Sequence, residues 1–166
     1  MGFIPDDYDS QDFDIESEGW SLYKVEDGTF IKLRIVLAGV GKAYPNPENP
    51  EQLSFKMEIP PPIIFAITKP GDHGQPSTSP PTRQDIIQED MKFTPIQEPW
   101  NVYRLKDGTK LSTRILATMI SKTNKFNPDG VRIYFVDNQP QIKAVLPPEL
   151  KKKQVVFIPP KPTVTV

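Results

Sequence analysis

The chain has 166 residues and a net charge of −1, and it contains one histidine, His73, and no cysteine. The lack of cysteine excludes disulfides, thiol catalysis and cysteine-ligated metal sites, and one histidine gives little support for a His-rich metal site or a Ser-His-Asp triad. No run approaches the roughly 20 apolar residues that span a bilayer, and the acidic N-terminus lacks the pattern of a secretion signal. We therefore expect a cytoplasmic protein with no cofactor, no membrane contact and no small-molecule substrate.

The nearly neutral total charge hides two regions of opposite sign. Residues 1–18 carry seven acidic side chains and no basic one, whereas residues 99–166 carry twelve basic and four acidic ones. Runs of like charge usually stay solvated. We predict that residues 1–18 form a disordered, flexible acidic arm; the alternative is that the arm makes a specific contact inside or outside the molecule.

Two stretches that each begin with a tryptophan repeat one another at an offset of 80 residues. Residues 20–42 and 100–122 share eight identities in 23 aligned positions, among them the tryptophan and an Asp-Gly-Thr sequence. The Asp-Gly pair supplies the positive φ that a tight hairpin requires, and the flanking residues alternate between apolar and polar with the period of a strand. We interpret the chain as a duplicated β unit.

Five strands are predicted in each repeat, in the same order. In the first repeat they cover residues 20–25, 30–40, 53–59, 63–67 and 91–95, and in the second residues 100–105, 110–120, 131–135, 141–145 and 155–159. The second strand is long, so we expect it to bend, at Gly39 in the first repeat, and to serve both halves of a barrel. Prolines predict turns at residues 60–62 and 137–140.

The connection from residue 68 to residue 90 is rich in Pro, Ser and Gly, and we predict that it is a flexible insertion in the first repeat. Near its end, Thr82 and Asp85 have the spacing of a capping box, which predicts a short helix.

The stretch from Val25 to Ile31 and its counterpart from Leu105 to Leu111 resemble the strand-turn-strand of Sm-like proteins, which bind RNA oligomers as rings. The second signature of that family, Ile/Leu-Arg-Gly, is missing from both repeats. Five short strands per unit, with a long and bent second strand, predict a small barrel of SH3-like or Sm-like type, and the resemblance agrees with this architecture. We therefore predict an all-β protein with two tandem, homologous five-stranded barrels. We place them at residues 19–96 and 97–160, with a tail at 161–166.

Catalytic motifs are scarce. His73 lies in the predicted flexible insertion, where a rigid site is hard to build, and Asp27 and Asp107 are explained by the turn chemistry of their hairpins. We find no phosphate-binding loop and no nucleophile elbow. We therefore expect no enzyme.

The function we favour from the sequence is that of a scaffold or adaptor subunit that binds protein partners or associates with itself. A Phe-x-Pro pattern occurs at Phe3, Phe93 and Phe157. We interpret the last two as the ends of strands that close their own barrels. For Phe3, Ile4 and Pro5 we predict docking on a partner or on the second barrel.

The alternative is binding of single-stranded RNA or DNA through the basic second barrel. Clustered cations and exposed aromatic rings suit phosphates and bases, although an ordinary solvated strand face is equally compatible with the pattern. For Trp20 and Trp100 we favour packing in the barrels over a role as binding hot spots. The candidate binding residues are Lys32, Arg34, Lys110, Arg114, Lys122, Lys125, Arg132, Tyr134 and Lys143.

Overall fold

A computed structural model describes residues 8–43, 52–150 and 154–158 of the chain. These residues form strands and two single 3₁₀ turns, at Arg83–Asp85 and Pro148–Leu150, and no α-helix. The strands of the first half are β1 (Tyr8–Gln11), β2 (Phe13–Ser17), β3 (Ser21–Val25), β4 (Phe30–Arg34), β5 (Gly39–Ala43), β6 (Gln52–Glu58) and β7 (Ile63–Ile67). The strands of the second half are β8 (Ile86–Gln88), β9 (Phe93–Gln97), β10 (Asn101–Leu105), β11 (Lys110–Phe126), β12 (Arg132–Val145) and β13 (Gln154–Ile158).

The strands assemble into three sheets. Sheet A has the order β1-β5-β6-β13, sheet B has the order β12-β11-β10-β2 with β8 paired to β11, and sheet C has the order β7-β4-β3-β9. The all-β class is thus confirmed. None of the three sheets closes into a barrel, so the two tandem SH3-like or Sm-like barrels are not confirmed.

The strand before each tryptophan pairs with the hairpin that follows the other tryptophan. Strands β2 and β9 lie directly before Trp20 and Trp100 and are equivalent at the offset of 80. Strand β2 pairs with β10, and β9 pairs with β3, with the same antiparallel register and the same bulge. The two exchanged strands place Phe13 opposite Leu105 and Phe93 opposite Val25. The exchange is therefore reciprocal and nearly symmetric.

The buried side chains form two clusters, and both contain residues of both repeats. The first cluster is Tyr23, Val25, Ile31, Leu33, Ile35, Met91, Ile115, Ile120, Tyr134 and Val136. The second cluster is Leu37, Val40, Phe55, Met57, Tyr103, Leu105, Leu111 and Leu146. The first half of each repeat therefore packs on the second half of the other.

The prediction of a disordered acidic arm is wrong for residues 8–18. Strand β1 pairs with β5 and β2 pairs with β10. The ring of Phe13 packs edge-on against Tyr103 with 5.6 Å between centroids, and the Glu16 carboxylate pairs with Arg104. Cations of sheets B and C pair with Asp12, Asp14, Glu16 and Glu18, which offsets the repulsion that would otherwise keep such a run solvated.

The long second strand bends in both repeats, in two different ways. In the first repeat the predicted strand over residues 30–40 divides into β4 and β5, which belong to different sheets. In the second repeat β11 is continuous for 17 residues, with a register shift between Ala117 and Met119, and it pairs with β10 at one end and β8 at the other. The segment thus belongs to two sheets in the first repeat and to one sheet in the second, and the barrel whose two halves it was expected to serve is not confirmed.

Of the two turns predicted at prolines, one is present in the structure and one is not. The prolines at residues 60–62 separate β6 from β7, as predicted. The turn predicted at residues 137–140 is wrong, because this segment continues β12 and Pro140 pairs opposite Ile115. Strand β12 lies at the edge of sheet B, where a residue without a backbone N–H is tolerated.

The helix predicted after Thr82 is also wrong, because the chain makes only the 3₁₀ turn and then enters β8. The Thr82 backbone N–H does donate to Asp85 Oδ2 at 2.8 Å, as the capping spacing predicts. The extended backbone of Ile86 ends the turn. The β-branched pair at residues 86 and 87 suits a strand and weakens a helix.

The insertion at residues 68–90 lies against the turn between β11 and β12. His73 forms an isolated bridge with Val131. The N–H of Gly74 donates to the carbonyl of Gly130 at 3.0 Å, and the N–H of Ser77 donates to the carbonyl of Phe126 at 3.0 Å.

Strand β13 corrects the interpretation of Phe157. It pairs in parallel with β6 of the first repeat, with Phe157 opposite Phe55, and so does not close a barrel of its own repeat. Strand β9, which carries Phe93, pairs with β3 of the first hairpin, but the barrel that it was predicted to close is not confirmed.

Candidate interaction surfaces

The candidate binding residues lie on strands β4, β11 and β12, and most already have partners within the described residues. Tyr134 is 5% exposed, so its ring is not available for stacking, contrary to our expectation. Lys110 pairs with Glu16 at 3.8 Å, and Lys125 donates to the Ser79 hydroxyl at 3.5 Å. Phe3, Ile4 and Pro5, where we predict docking, lie outside the described residues.

Trp20 carries two of the predicted cations on its ring. Lys32 Nζ lies 4.5 Å and the Arg34 guanidinium carbon 5.6 Å from the ring centroid. Arg34 also pairs with Glu18, whose other oxygen accepts a 2.7 Å hydrogen bond from the Tyr103 hydroxyl. Burial, and then the bond to Glu18, raise the pKa of Tyr103 to about 12. Arg34 is thus held in a structural network.

Trp100 carries the equivalent pair of cations in sheet B. Lys143 Nζ lies 4.1 Å and the Arg114 guanidinium carbon 4.5 Å from the ring centroid. Arg114 Nε donates to Gln141 Oε1 at 2.7 Å. Neither cation forms an ion pair within the described part of the chain. The two tryptophans are half-buried under their own cations, which combines packing with a partly open surface.

Asp27 sits at the centre of a cluster that joins the first hairpin to β11 and β12. It accepts a 2.6 Å bond from the Tyr134 hydroxyl and a 2.9 Å bond from the Thr29 N–H, and it pairs with Lys122 at 3.3 Å. Burial raises the pKa of Asp27, but these three hydrogen-bond donors together outweigh burial and hold its pKa below the ordinary value. A carboxylate saturated in this way stabilises the fold.

Arg132 is held by the insertion. Its guanidinium donates to both oxygens of Asp72, at 2.8 to 3.2 Å, and to the Thr123 carbonyl at 2.9 Å. The bond from Arg132 is the main reason why the pKa of Asp72 lies below its ordinary value. The guanidinium also lies 4.7 Å from the ring of Phe126. The sequence placed Asp72 in a flexible segment, so this pairing was not foreseen.

The outer edge of sheet C is apolar, which the sequence did not lead us to expect. Strand β7 pairs with β4 alone among the described strands. Four of its five side chains are exposed by 41% to 58% although none is polar: Ile63, Ile64, Phe65 and Ile67. The available signal was a five-residue apolar run without polar alternation, which suits a strand buried on both faces and is unusual at an edge.

A cleft of about 530 Å³ opens at the hairpin end of sheet C. Its walls include three exposed lysines, Lys24, Lys69 and Lys92, and one carboxylate, Glu26. Lys69 follows β7 by two residues and lies over Gly28 of the hairpin, where an added Cβ would collide with the lysine side chain. The cleft is thus continuous with the end of β7.

Three comparisons, with protein-family models, with curated proteins and with solved structures, found no match to the chain. The described residues contain no helix of the length and hydropathy that crossing a membrane requires. In the same residues, no three His, Asp or Glu side chains gather in the manner of a metal site.

Proposed function

We propose that the protein is a non-catalytic scaffold or adaptor subunit of a larger cytoplasmic assembly, and that it binds protein partners through its sheet edges. The observation that carries this proposal is the exposed apolar edge of β7. A free edge offers a row of unpaired backbone N–H and C=O groups, and apolar side chains on both faces add area that a partner strand can bury. The predicted docking of Phe3, Ile4 and Pro5 on a partner belongs to the same proposal.

The equivalent edge of sheet B supports this interpretation by contrast. There, Lys143 stands at the position of Phe65 and Val145 at the position of Ile67, while Pro140 corresponds to Pro62 before β7. Charged residues and proline are the usual devices that stop an edge strand from pairing with another chain. Both edges have a proline before this stretch, but only the edge in sheet B has a charged side chain within it.

The test removes the apolar edge and keeps the strand. Phe65→Thr combined with Ile67→Thr retains β propensity, and Val145→Thr, at the position equivalent to Ile67, is the matched control. Affinity capture from the native host should recover a partner with the wild type and with Val145→Thr, and should lose it with the double variant. A partner that the double variant retains would contradict the proposal, as would the absence of any partner of the wild type.

A second candidate function, binding of single-stranded RNA or DNA, is favoured by one observation. The ring of Trp100 contacts Arg114 and Lys143, two cations that have no ion pair among the described residues. Phosphates and a base would compete for these cations and for the ring. Binding of an oligonucleotide should weaken steeply between low and moderate salt and should be lost in Trp100→Ala; salt-independent binding contradicts this mode.

A further inference from the structure

The lysine cleft at the end of sheet C carries uncompensated positive charge. None of Lys24, Lys69 and Lys92 forms an ion pair within residues 8–43, 52–150 and 154–158. Glu26, the one carboxylate that lines the cleft, already accepts a 2.9 Å bond from Gln88. Three lysines around one carboxylate favour an anionic occupant.

The equivalent end of sheet B shows which kind of segment neutralises such cations. There, strand β2 pairs with β10 and brings Asp12, Asp14 and Glu16 to Lys106 and Arg104. In sheet C, Lys92, directly before β9, stands at the position of Asp12, and Glu26 stands at the position of Lys106, so the charges of this pair are reversed. Ile96 stands at the position of Glu16, so Lys24 lacks the carboxylate that its equivalent, Arg104, has in sheet B. Among the residues that the structure describes, Glu26 is therefore the single carboxylate that faces the three lysines of the cleft.

The lysine cleft lies at the C-terminal end of the apolar edge strand β7. Strand β7 runs antiparallel to β4 with Ile67 opposite Phe30, so its C-terminal end reaches the β3–β4 hairpin. Lys69 follows directly and packs over that hairpin. A strand added along β7 would end at Lys69 and the cleft.

We infer that the partner of β7 is an extended protein segment with an apolar, β-forming centre and carboxylates at the end that reaches Lys69, Lys24 and Lys92. This inference rests on the proposed function and names the chemistry of the partner. The centre adds to sheet C as a fifth strand along the four exposed side chains of β7. The carboxylates provide the counter-charge that β2 provides in sheet B. In antiparallel addition the acidic residues precede the apolar run, and in parallel addition they follow it.

A second copy of this chain fits the surface less well. Pairing of two β7 strands about a two-fold axis would satisfy the backbone edges and cover the apolar side chains. It would also leave the lysines of both clefts without counter-ions, because the edge and the cleft contain no carboxylate apart from Glu26. Charge complementarity therefore selects an acidic partner.

The probe is a short synthetic peptide in which two aspartates precede alternating valine and threonine, together with its reversed order and a control with lysines in place of the aspartates. Binding to the full chain is followed by fluorescence anisotropy at two salt concentrations. The test variant combines Lys24→Gln, Lys69→Gln and Lys92→Gln; the control combines Arg83→Gln, Lys106→Gln and Lys125→Gln and has the same net charge.

We expect one order of the acidic peptide to bind, the lysine peptide not to bind, and affinity to fall with salt. The cleft variant should weaken binding about tenfold, the control variant about twofold or less, and Phe65→Thr with Ile67→Thr should abolish it.

No binding by either acidic order, or equal binding to the cleft variant, overturns this inference. The proposed function then still stands if the edge variant loses its captured partner, and it falls too if that partner is retained. Sedimentation of the protein alone supplies a further outcome: a wild-type dimer that the edge variant abolishes would identify a second copy as the occupant and overturn the acidic partner.

Discussion

Two equivalent aspartates have the same role in their hairpin turns but different partners elsewhere in the molecule. Asp27 and Asp107 each accept a hydrogen bond from the N–H two residues later, at 2.9 and 2.8 Å, as their hairpins require. Asp107 pairs across the molecule with Lys42, whereas Asp27 pairs with Lys122 and also accepts from a tyrosine hydroxyl. The extra bond exists because the second repeat has Tyr134 where the first repeat has a phenylalanine.

The Asp27 cluster predicts a pH-dependent stability. The lowered pKa of Asp27 means that its stabilising effect is present above the unfolded pKa, near pH 4, and is lost as pH falls through the folded value. Asp27→Asn should lower the free energy of unfolding at pH 7 by about 1–3 kcal/mol, and Asp107→Asn by less. Denaturant unfolding at several pH values checks this. The difference between wild type and Asp27→Asn should narrow below about pH 4, and a constant difference would contradict the assignment.

The outward position of Arg34 and Arg114 follows from the alternation of apolar and polar residues in their strands. The ion pairs that Arg34 and Arg132 form do not follow from that alternation. The partner of Arg34, Glu18, lies in the arm that its acidic composition assigned to disorder, and the partner of Arg132, Asp72, lies in the insertion. Composition measures the tendency of an isolated segment to stay solvated. It contains no information about cations that a distant strand presents.

At the scale of elements, β2 behaves as a structural strand and not as a tail. Phe13 packs on Tyr103, while Ile15 on the same strand is 60% exposed. Phe13→Ala should cost about 2–4 kcal/mol of unfolding free energy because it opens a cavity beside a buried ring, and Ile15→Ala should change stability by about 0.5 kcal/mol or less. Chemical denaturation of both variants provides the measurement. Equal, small effects would mean that β2 is only loosely attached in solution.

Local signals located the elements well and their partners poorly. The Asp-Gly pairs correctly mark both hairpins, with φ of 89° at Gly28 and 91° at Gly108. The alternation in the first hairpin correctly gives Ile31 and Leu33 as buried. The exchange of β2 and β9 is invisible to such signals, because a strand pattern specifies which side chains face inward and not which repeat they face. The apolar edge of β7 escaped notice for the same reason.

At the scale of the whole molecule, the mixed clusters predict one cooperative unit. Since each cluster of buried side chains contains both repeats, neither repeat can lose its packing without the other. Variants with a single tryptophan, Trp20→Phe and Trp100→Phe, report on the second and first repeat respectively. For each variant, the unfolding transition followed by fluorescence should coincide with the one followed by far-UV circular dichroism. Both transitions should also give the same m-value, the slope of unfolding free energy against denaturant concentration. Two separated transitions in one variant would show that the repeats unfold independently.

The reciprocal exchange of β2 and β9 also bears on synthesis at the ribosome. When the first hundred residues have emerged, Leu33 and Phe55 lack part of their packing partners. Ile115, in the cluster of Leu33, and Leu111, in the cluster of Phe55, have not yet been synthesised. The nascent chain must expose these side chains, together with β7, until the second repeat follows. Nascent chains on the same messenger RNA are therefore close together while their apolar side chains are exposed, which favours aggregation. Slower translation or a lack of chaperones should reduce the yield of correctly folded protein.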